Sequence, residues 1–296
     1  MKIKKLALSI AAVLLIASCS EQKAPTLEEM VESGQVDEAI MNVRNAARQD
    51  IALTTMNAIN SELRPHDNIY MPDGDGPFPA MLFFHGCSGP TLSHEQEWAR
   101  RFNNEGIAMI SVDSYSGRGI NWEDACNMQA MLPWQRASDV ISTLDYAKNF
   151  ENIKNDEIYV AGFSHGAMTI WAALAFASNK TAPIGLETWP IGGIDGLKGA
   201  FMFYAPCMEP WGLDVSAAML LGDNDQYIDE QTCISYKEKY PIVSKDLSVD
   251  IFEGSTHTFD HSIPNAANVA AGSKYDADAT EKSWKIIQNI MKVNNE

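Results

Sequence analysis

The sequence predicts an α/β fold, with a mostly parallel central sheet and helices on both faces. Short continuous apolar runs, such as residues 80–84 and 107–112, suit strands that are buried on both faces of a parallel sheet. Stretches with helical spacing, such as residues 133–150, separate these runs, and such alternation is typical of βαβ units. Because one sheet of this kind accommodates 296 residues, we expect one main domain.

The individual elements follow in order from about residue 65. A strand ends near residue 72, and a turn rich in glycine and aspartate follows it. Further strands are predicted at residues 80–84, 107–112, 158–161, 200–204, 217–221 and 249–252. Helices are predicted at residues 95–105, 133–150, 167–178, 229–239 and 279–293.

The amino-acid composition excludes several classes of protein. Hydrophobic residues make up 46% and charged residues 21%, which is ordinary globular usage and excludes a disordered, collagenous or coiled-coil chain. The 22 basic and 39 acidic side chains give a net charge of −17. Such an acidic surface argues against nucleic acid and anionic lipid as main partners.

The first 18 residues have the pattern of an export signal. A basic start precedes an apolar run at residues 6–17, which is too short to span a bilayer as a helix. Small residues lead to Cys19, which resembles the cysteine of a bacterial lipobox, and this resemblance implies cleavage before Cys19 and a lipid on its sulfur. Ser20 then favours the outer membrane. We therefore expect a lipid-anchored protein on the periplasmic side of the bacterial cell envelope; the alternative is an ordinary signal peptide.

The sequence divides into four parts. Residues 1–18 form the signal peptide and residues 19–26 a short polar tether. Apolar residues at helical spacing, broken at Gly34, predict short helices in an N-terminal extension at residues 27–60. Residues 61–296 form the α/β domain.

A G-x-S-x-G motif at residues 162–166 is the strongest indication of chemistry. It follows the predicted strand 158–161 and precedes the predicted helix 167–178, so Ser164 lies at a tight turn at the carboxyl edge of the sheet. The flanking glycines remove the Cβ atoms that would clash in such a turn. We predict that Ser164 is a nucleophile, which requires a neighbouring base.

Two candidate histidines and two candidate aspartates lie downstream of Ser164 in the order that this kind of site requires, with the acid before the histidine. His257 follows the last predicted strand and is favoured as the base over His261. Asp225 is favoured as the acid over Asp223, because its extra distance from the strand end lets the loop turn toward His257. The acid would fix the imidazole tautomer and stabilise the imidazolium.

Backbone N–H groups are the predicted donors to a developing oxyanion. The glycine-flanked loop at residues 85–89 ends a strand, and the N–H of Cys87 is one candidate. The N–H of His165, immediately after the nucleophile, is the other. We predict that the His85 side chain braces this loop rather than acting as an acid or base.

With these residues in place, residues 65–293 resemble an α/β-hydrolase, and more narrowly the dienelactone hydrolase family. This resemblance implies hydrolase chemistry on that fold. Well-known members carry a cysteine nucleophile, whereas the elbow here holds Ser164, which points to a serine esterase rather than to cyclic dienelactone as substrate. The motifs that carry the resemblance are GPFPA (76–80), HGCSG (85–89), DSYSGRG (113–119), GFSHG (162–166), GDND (222–225) and HTFD (257–260).

Four cysteines remain after Cys19, and an exported protein can form disulfides from them. Cys207 and Cys233 follow neighbouring strands, which favours their pairing and leaves Cys87 with Cys126. Four buried thiols are the alternative. No C-x-x-C or Cys/His spacing indicates zinc, so no metal is expected.

Arg118 lies in a glycine-flanked loop after the strand at 107–112 and has two possible roles. It could bind a substrate carboxylate, or it could tie loops together through Asp113 or a carbonyl oxygen. The second role is the more common one for such an arginine.

The combined pattern predicts a hydrolase of small carboxylic esters that forms an acyl-enzyme and needs no cofactor. Two alternatives stay open. The same residues could cleave amides, as in an exopeptidase, or the chain could be a binding lipoprotein on a hydrolase fold that no longer catalyses.

Overall fold

The computed structural model describes residues 52–242 and 246–293. The signal peptide, the tether, Cys19 and the predicted short helices before residue 52 lie outside the described residues. Helix α1 (Met56–Leu63) is the first described helix, and the boundary that the sequence suggests at residue 60 falls within it. None of the helices described is long and apolar enough to cross a membrane.

The described strands and helices alternate along the chain. The strands are β1 (Asn68–Tyr70), β2 (Phe78–Phe84), β3 (Ala108–Val112), β4 (Ile153–Phe163), β5 (Leu197–Phe203), β6 (Ser216–Gly222) and β7 (Leu247–Phe252). The helices after α1 are α2 (Leu92–Asn104), α3 (Trp122–Cys126), α4 (Pro133–Ala147), α5 (His165–Ser178), α6 (Gln231–Lys239), α7 (Ala266–Ala270) and α8 (Ala277–Val293). A single 3-10 turn lies at Ser116–Arg118.

The strands form one sheet in the order β1-β3-β2-β4-β5-β6-β7. Only the short β1 runs antiparallel to its neighbour, so the predicted mostly parallel sheet is confirmed. The parallel register places the end of β2 beside the ends of β3 and β4, with Phe84 opposite Val112 and Gly162. Loops that follow these strands therefore meet at one edge of the sheet, where open α/β sheets place their ligands.

Helices cover both faces of the sheet. One face packs against α1, α4, α5 and α6 through a core that contains Ile59, Ile141, Trp171 and Tyr236. The other face packs against α2 and α8 through a core that is rich in aromatic rings, which includes Trp98, Phe102, Phe203 and Trp284. Each such side chain contributes about 1.5–3 kcal/mol when it is fully buried, so both layers hold the sheet rigid.

Three short helices and the start of β4 depart from the sequence-based expectation. Helices α1, α3 and α7 have 8, 5 and 5 residues, too few for apolar periodicity to mark them. Strand β4 begins at Ile153, earlier than predicted, because its first half carries the polar residues 154–157 and is not an apolar run.

Candidate active site

The turn between β4 and α5 has a backbone conformation that few residues adopt. Ser164 has φ 52° and ψ −113°, and its N–H donates to the carbonyl oxygen of Phe203 at 3.0 Å. A Cβ atom on Gly162 would lie 2.5 Å from the backbone of Gly166. A Cβ atom on Gly166 would lie 2.2 Å from the carbonyl oxygen of Phe84. Both glycines are therefore required by the close approach of backbone, and the turn presents Ser164 at the carboxyl edge of the sheet.

The structure brings the three residues Ser164, His257 and Asp225 into one hydrogen-bonded chain. His257 Nε2 lies 3.0 Å from Ser164 Oγ, and His257 Nδ1 lies 2.7 Å from Asp225 Oδ2. A carboxylate only accepts, so Nδ1 carries the proton and Nε2 of the neutral ring accepts from the serine hydroxyl. This is the tautomer in which a histidine can take the proton from Ser164.

Backbone donors hold the carboxylate of Asp225 in its place. Its Oδ1 accepts from the N–H groups of Tyr227 and Ile228 at 2.8 and 3.1 Å, which leaves Oδ2 for His257. The side chain of Asp225 is buried. Asp223, the other candidate, instead accepts from the N–H of Gly254 at 2.6 Å and so joins the loop after β6 to the loop after β7.

His261, the other candidate base, belongs to a separate buried cluster. Its ring stacks on His94 with centroids 3.7 Å apart. Burial, together with His94, lowers the pKa of His261 to about 3, so the ring is neutral. His257, not His261, is the histidine beside Ser164.

The same cluster contains three side chains of the types that bind metal ions. His94, Asp260 and His261 bring one possible ligand atom each within 4.8 Å of one another. The carboxylate of Asp260, however, already accepts hydrogen bonds from His94 at 2.7 Å, from Trp98 at 2.9 Å and from Tyr204 at 2.9 Å. These bonds make a polar network that links α2 to the loop after β7.

Tyr204, an aromatic residue that the sequence places near the pocket rim, connects that network to the candidate site through contacts that no sequence motif predicts. It directly follows β5 with φ 39°, and its ring contacts the ring of His257 with centroids 4.7 Å apart. Its hydroxyl donates to Asp260 Oδ1. Burial and the Asp260 carboxylate raise the pKa of Tyr204 well above its usual value, so it stays a neutral donor. Tyr204 therefore supports one face of His257.

The loop proposed to hold one oxyanion donor is anchored on both sides. The side chain of Cys87 forms a disulfide with Cys126 at the end of α3, as predicted. The His85 ring donates from Nδ1 to the carbonyl oxygen of Gly86 at 2.6 Å and accepts the N–H of Ser114 at 3.3 Å. Burial and the nearby Arg136 keep the pKa of His85 well below its usual value, so the ring braces the loop as a neutral group.

The second predicted disulfide is also present, between Cys207 and Cys233. It joins the segment after β5 to helix α6, on the face of the sheet that carries α5. It lies in the apolar core, and it is separated along the chain from the residues around Ser164.

Arg118 makes the contacts of a residue that ties loops together. Its Nη1 and Nη2 donate to the two carboxylate oxygens of Asp139 at 2.8 Å. Nη1 also donates to the carbonyl oxygen of Ser114, and Nε donates to Glu62. Burial lowers the pKa of Arg118, but the two carboxylates outweigh this and leave its pKa raised. Asp113 does not bind Arg118 and caps its own turn through the N–H groups of Tyr115 and Ser116.

The arrangement defines a class of protein. An elbow serine on the central strand β4, followed in chain order by an aspartate after β6 and a histidine after β7, is the layout of an α/β-hydrolase. The sequence profile of the dienelactone hydrolase family matches residues 68–294. The chain belongs to this family and is a hydrolase that acts on ester bonds. No curated protein matches the sequence.

Solved structures share the fold at low sequence identity. The dienelactone hydrolase-like promiscuous phosphotriesterase P91 from metagenomic libraries is 18% identical with a TM-score of 0.53, over 74% of this chain and 87% of that one. A propionate-bound esterase, Est2 of Thermogutta terrifontis, is 14% identical with a TM-score of 0.54, over 76% and 88%. A protein named m3DLH is 17% identical with a TM-score of 0.59, over 76% and 91%. At these identities the likeness concerns the fold alone.

Proposed function

We propose that this protein is an exported serine hydrolase that cleaves small carboxylic esters with Ser164, His257 and Asp225. One observation carries the proposal: the uninterrupted hydrogen-bonded chain from Ser164 Oγ through both ring nitrogens of His257 to Asp225. A serine hydroxyl is a weak nucleophile by itself, and a neutral imidazole with its far nitrogen on a carboxylate is the base that activates it.

The reaction follows from the geometry in two halves. His257 Nε2 takes the proton as Ser164 Oγ attacks the ester carbonyl, and Asp225 stabilises the imidazolium that forms. The N–H groups of Cys87 and His165 receive the negative charge on the carbonyl oxygen. His257 then protonates the leaving alcohol, and an acyl-enzyme remains. Water activated by the same ring hydrolyses that acyl-enzyme and restores Ser164.

The membrane anchor and the location are part of the same proposal. The signal pattern at residues 1–18 and Cys19 favour a lipoprotein held on the periplasmic side of the outer membrane. Two disulfides in the described residues suit an oxidising compartment. Replacing Cys19 with alanine should abolish metabolic labelling by a radioactive fatty acid and release the protein from the membrane fraction. Labelling that persists in Cys19→Ala would exclude this anchor.

A fluorophosphonate probe tests the catalytic proposal. The purified wild type should gain one covalent adduct on Ser164, and Ser164→Ala should gain none. Ser61→Ala is the matched control, because Ser61 is an exposed serine whose hydroxyl donates only to the carbonyl oxygen of Asn57 within helix α1. It should react like the wild type. A folded wild type without an adduct would contradict an activated serine and favour the alternative of a binding lipoprotein.

The choice between ester and amide substrates needs a second measurement. p-Nitrophenyl esters of increasing acyl length should be hydrolysed by the wild type, with a rate that depends on Ser164. Matched p-nitroanilides should be cleaved far more slowly, because the amine leaving group needs a well-placed proton donor. Comparable rates on both series would favour the amidase alternative.

A further inference from the structure

Arg136, a residue of helix α4, lies beneath both backbone segments that the proposed mechanism uses as oxyanion donors. Its side chain is fully buried. The guanidinium Nη1 donates to the carbonyl oxygen of His85 at 2.8 Å and lies 3.2 Å from Nδ1 of His165. His85 begins the loop that contains Cys87, and His165 is the other proposed donor. One guanidinium therefore contacts both sides of the proposed oxyanion hole.

The charge of Arg136 has no carboxylate next to it. Within the described residues Arg136 forms no ion pair, and its Nη2 has no hydrogen-bond partner. Its other bonds go to neutral groups: Nε donates to Ser114 Oγ at 2.8 Å, and the ring of Tyr115 lies 5.4 Å away. Asp139, one turn further along α4, is occupied by both nitrogens of Arg118.

A buried cation without a carboxylate in direct contact is costly for a fold, because burial removes its hydration and the aspartates that act on it, Asp139 and Asp113, do so without forming an ion pair. Burial lowers the pKa of Arg136 by more than Tyr115, Asp139 and Asp113 raise it. A glutamine or methionine at this position would avoid that cost. A cation kept here in spite of that cost can serve the reaction, because it can face a negative charge that exists only during catalysis, as the oxyanion of a tetrahedral intermediate does.

We propose that Arg136 is the positioning residue of the oxyanion hole: it holds the 85–89 loop and the ring of His165 in place and supplies a fixed positive charge to the tetrahedral intermediate. This inference rests on the proposed function. Arg136 contacts no substrate atom in this role and acts through the backbone N–H groups of Cys87 and His165. Its contribution should therefore appear in kcat and not in KM.

The test compares Arg136→Gln and Arg136→Lys with the wild type on p-nitrophenyl butyrate, and measures the Ki of phenylboronic acid. The boronate forms an anionic tetrahedral adduct with a reactive serine and so mimics the charged intermediate. In Arg136→Gln, kcat and the affinity for the boronate should fall together by about 10- to 100-fold, with KM changed by less than about 3-fold. Arg136→Lys keeps the charge and should recover much of both losses.

A second, largely buried arginine that packs against the same helix provides the control. Arg64 lies against α4 through Thr143 and pairs with Asp67, away from the 85–89 loop. Arg64→Gln should lower the melting temperature and leave kcat and the boronate Ki unchanged. If Arg136→Gln does not fold, Ser114→Ala replaces it, because it removes only the hydroxyl that holds Nε. A smaller but parallel loss of kcat and boronate affinity is then expected.

The outcomes separate this inference from the proposed function. A wild type that hydrolyses the ester, together with an Arg136→Gln variant of unchanged kcat, overturns the role of Arg136 and leaves the serine mechanism standing. A loss of kcat that Arg136→Lys does not recover, with boronate affinity unchanged, overturns the electrostatic role. A folded wild type that neither hydrolyses esters nor binds the boronate overturns the proposed function and this inference with it.

Discussion

Gly166 lies against the end of β2 so closely that a Cβ atom on it would be 2.2 Å from the carbonyl oxygen of Phe84. This contact joins the first turn of α5 to the strand that leads into the 85–89 loop. The distance between Ser164 and that loop is thus set by backbone against backbone, which cannot rotate away as a side chain could.

Gly166→Ala should therefore destabilise the protein and distort the elbow. We expect the free energy of unfolding to fall by about 3 kcal/mol. This is the upper end of the range for an added methyl group in a packed core, because the opposing atom is a backbone oxygen that cannot rotate away. Gly86→Ala is the control, since its Cβ would lie at an ordinary 3.4 Å from the carbonyl oxygen of Phe163. Urea unfolding of both variants measures the difference. Equal stability of the two would show that the elbow can relax.

Variants of Asp223 and Asp225 test which aspartate acts with His257. Asp225→Asn should lower kcat by about 10³- to 10⁴-fold, because an amide at this position no longer enforces the required tautomer of His257 or stabilises its cation. Asp223→Asn keeps an oxygen that can accept from the N–H of Gly254 and should retain nearly full activity. Steady-state kinetics on one ester decide between them. Equal loss in both variants would mean that the loop, not the Asp225 charge, matters.

Much of the candidate site was predictable because each of its parts has a local sequence signature. Ser164 lies in a glycine-flanked motif between an apolar run and a helical pattern, and His257 and Asp225 follow strand ends in a fixed order. The predicted disulfides follow from the positions of cysteines after neighbouring strands, and both are found.

Arg136 and Tyr204 could not be predicted in the same way. An arginine within a helical pattern normally lies on the solvated face, and only the packing of α4 against the sheet reveals that Arg136 is buried. Tyr204 reads as the last residue of an apolar strand. Its hydrogen bond to Asp260 joins residues 56 positions apart, which no local pattern can show.

The two disulfides offer a comparison between stability and activity. Their loops have sequence separations of 39 and 26, so removing either should cost a similar 3–4 kcal/mol, roughly, by the loop-entropy estimate. Only the Cys87–Cys126 bond holds the loop of a proposed oxyanion donor. The double variant Cys87→Ser/Cys126→Ser should therefore also lose kcat, by about 10-fold or more.

The matched control for this comparison is Cys207→Ser/Cys233→Ser. It should show the same fall in melting temperature with kcat unchanged below that temperature. Thermal unfolding and ester kinetics on both double variants check the expectation. If the two variants lose activity to the same degree, the Cys87–Cys126 bond has no special role in positioning the loop.

Asp67 should make stability depend on pH. Its side chain is almost fully buried, and burial raises its pKa to about 7 even though Arg64 lies 3.0 Å away and the N–H of Asp113 donates to it. In the unfolded chain the pKa of an aspartate is about 3.9. The folded protein therefore binds this proton more tightly, and the stabilisation is fully present below about pH 4 and lost as the pH rises to about 7.

The pH-dependent contribution of Asp67 to the free energy of unfolding should be on the order of 4 kcal/mol, since each unit of pKa difference corresponds to about 1.4 kcal/mol. Asp67→Asn has no ionisable group at this position and serves as the reference. Between pH 4 and 7 the free energy of unfolding of the wild type should fall relative to that of Asp67→Asn. Chemical unfolding at several pH values measures this difference. A constant difference over that range would mean that Arg64 and the N–H of Asp113 keep Asp67 ionised, with the ion pair outweighing the cost of burial.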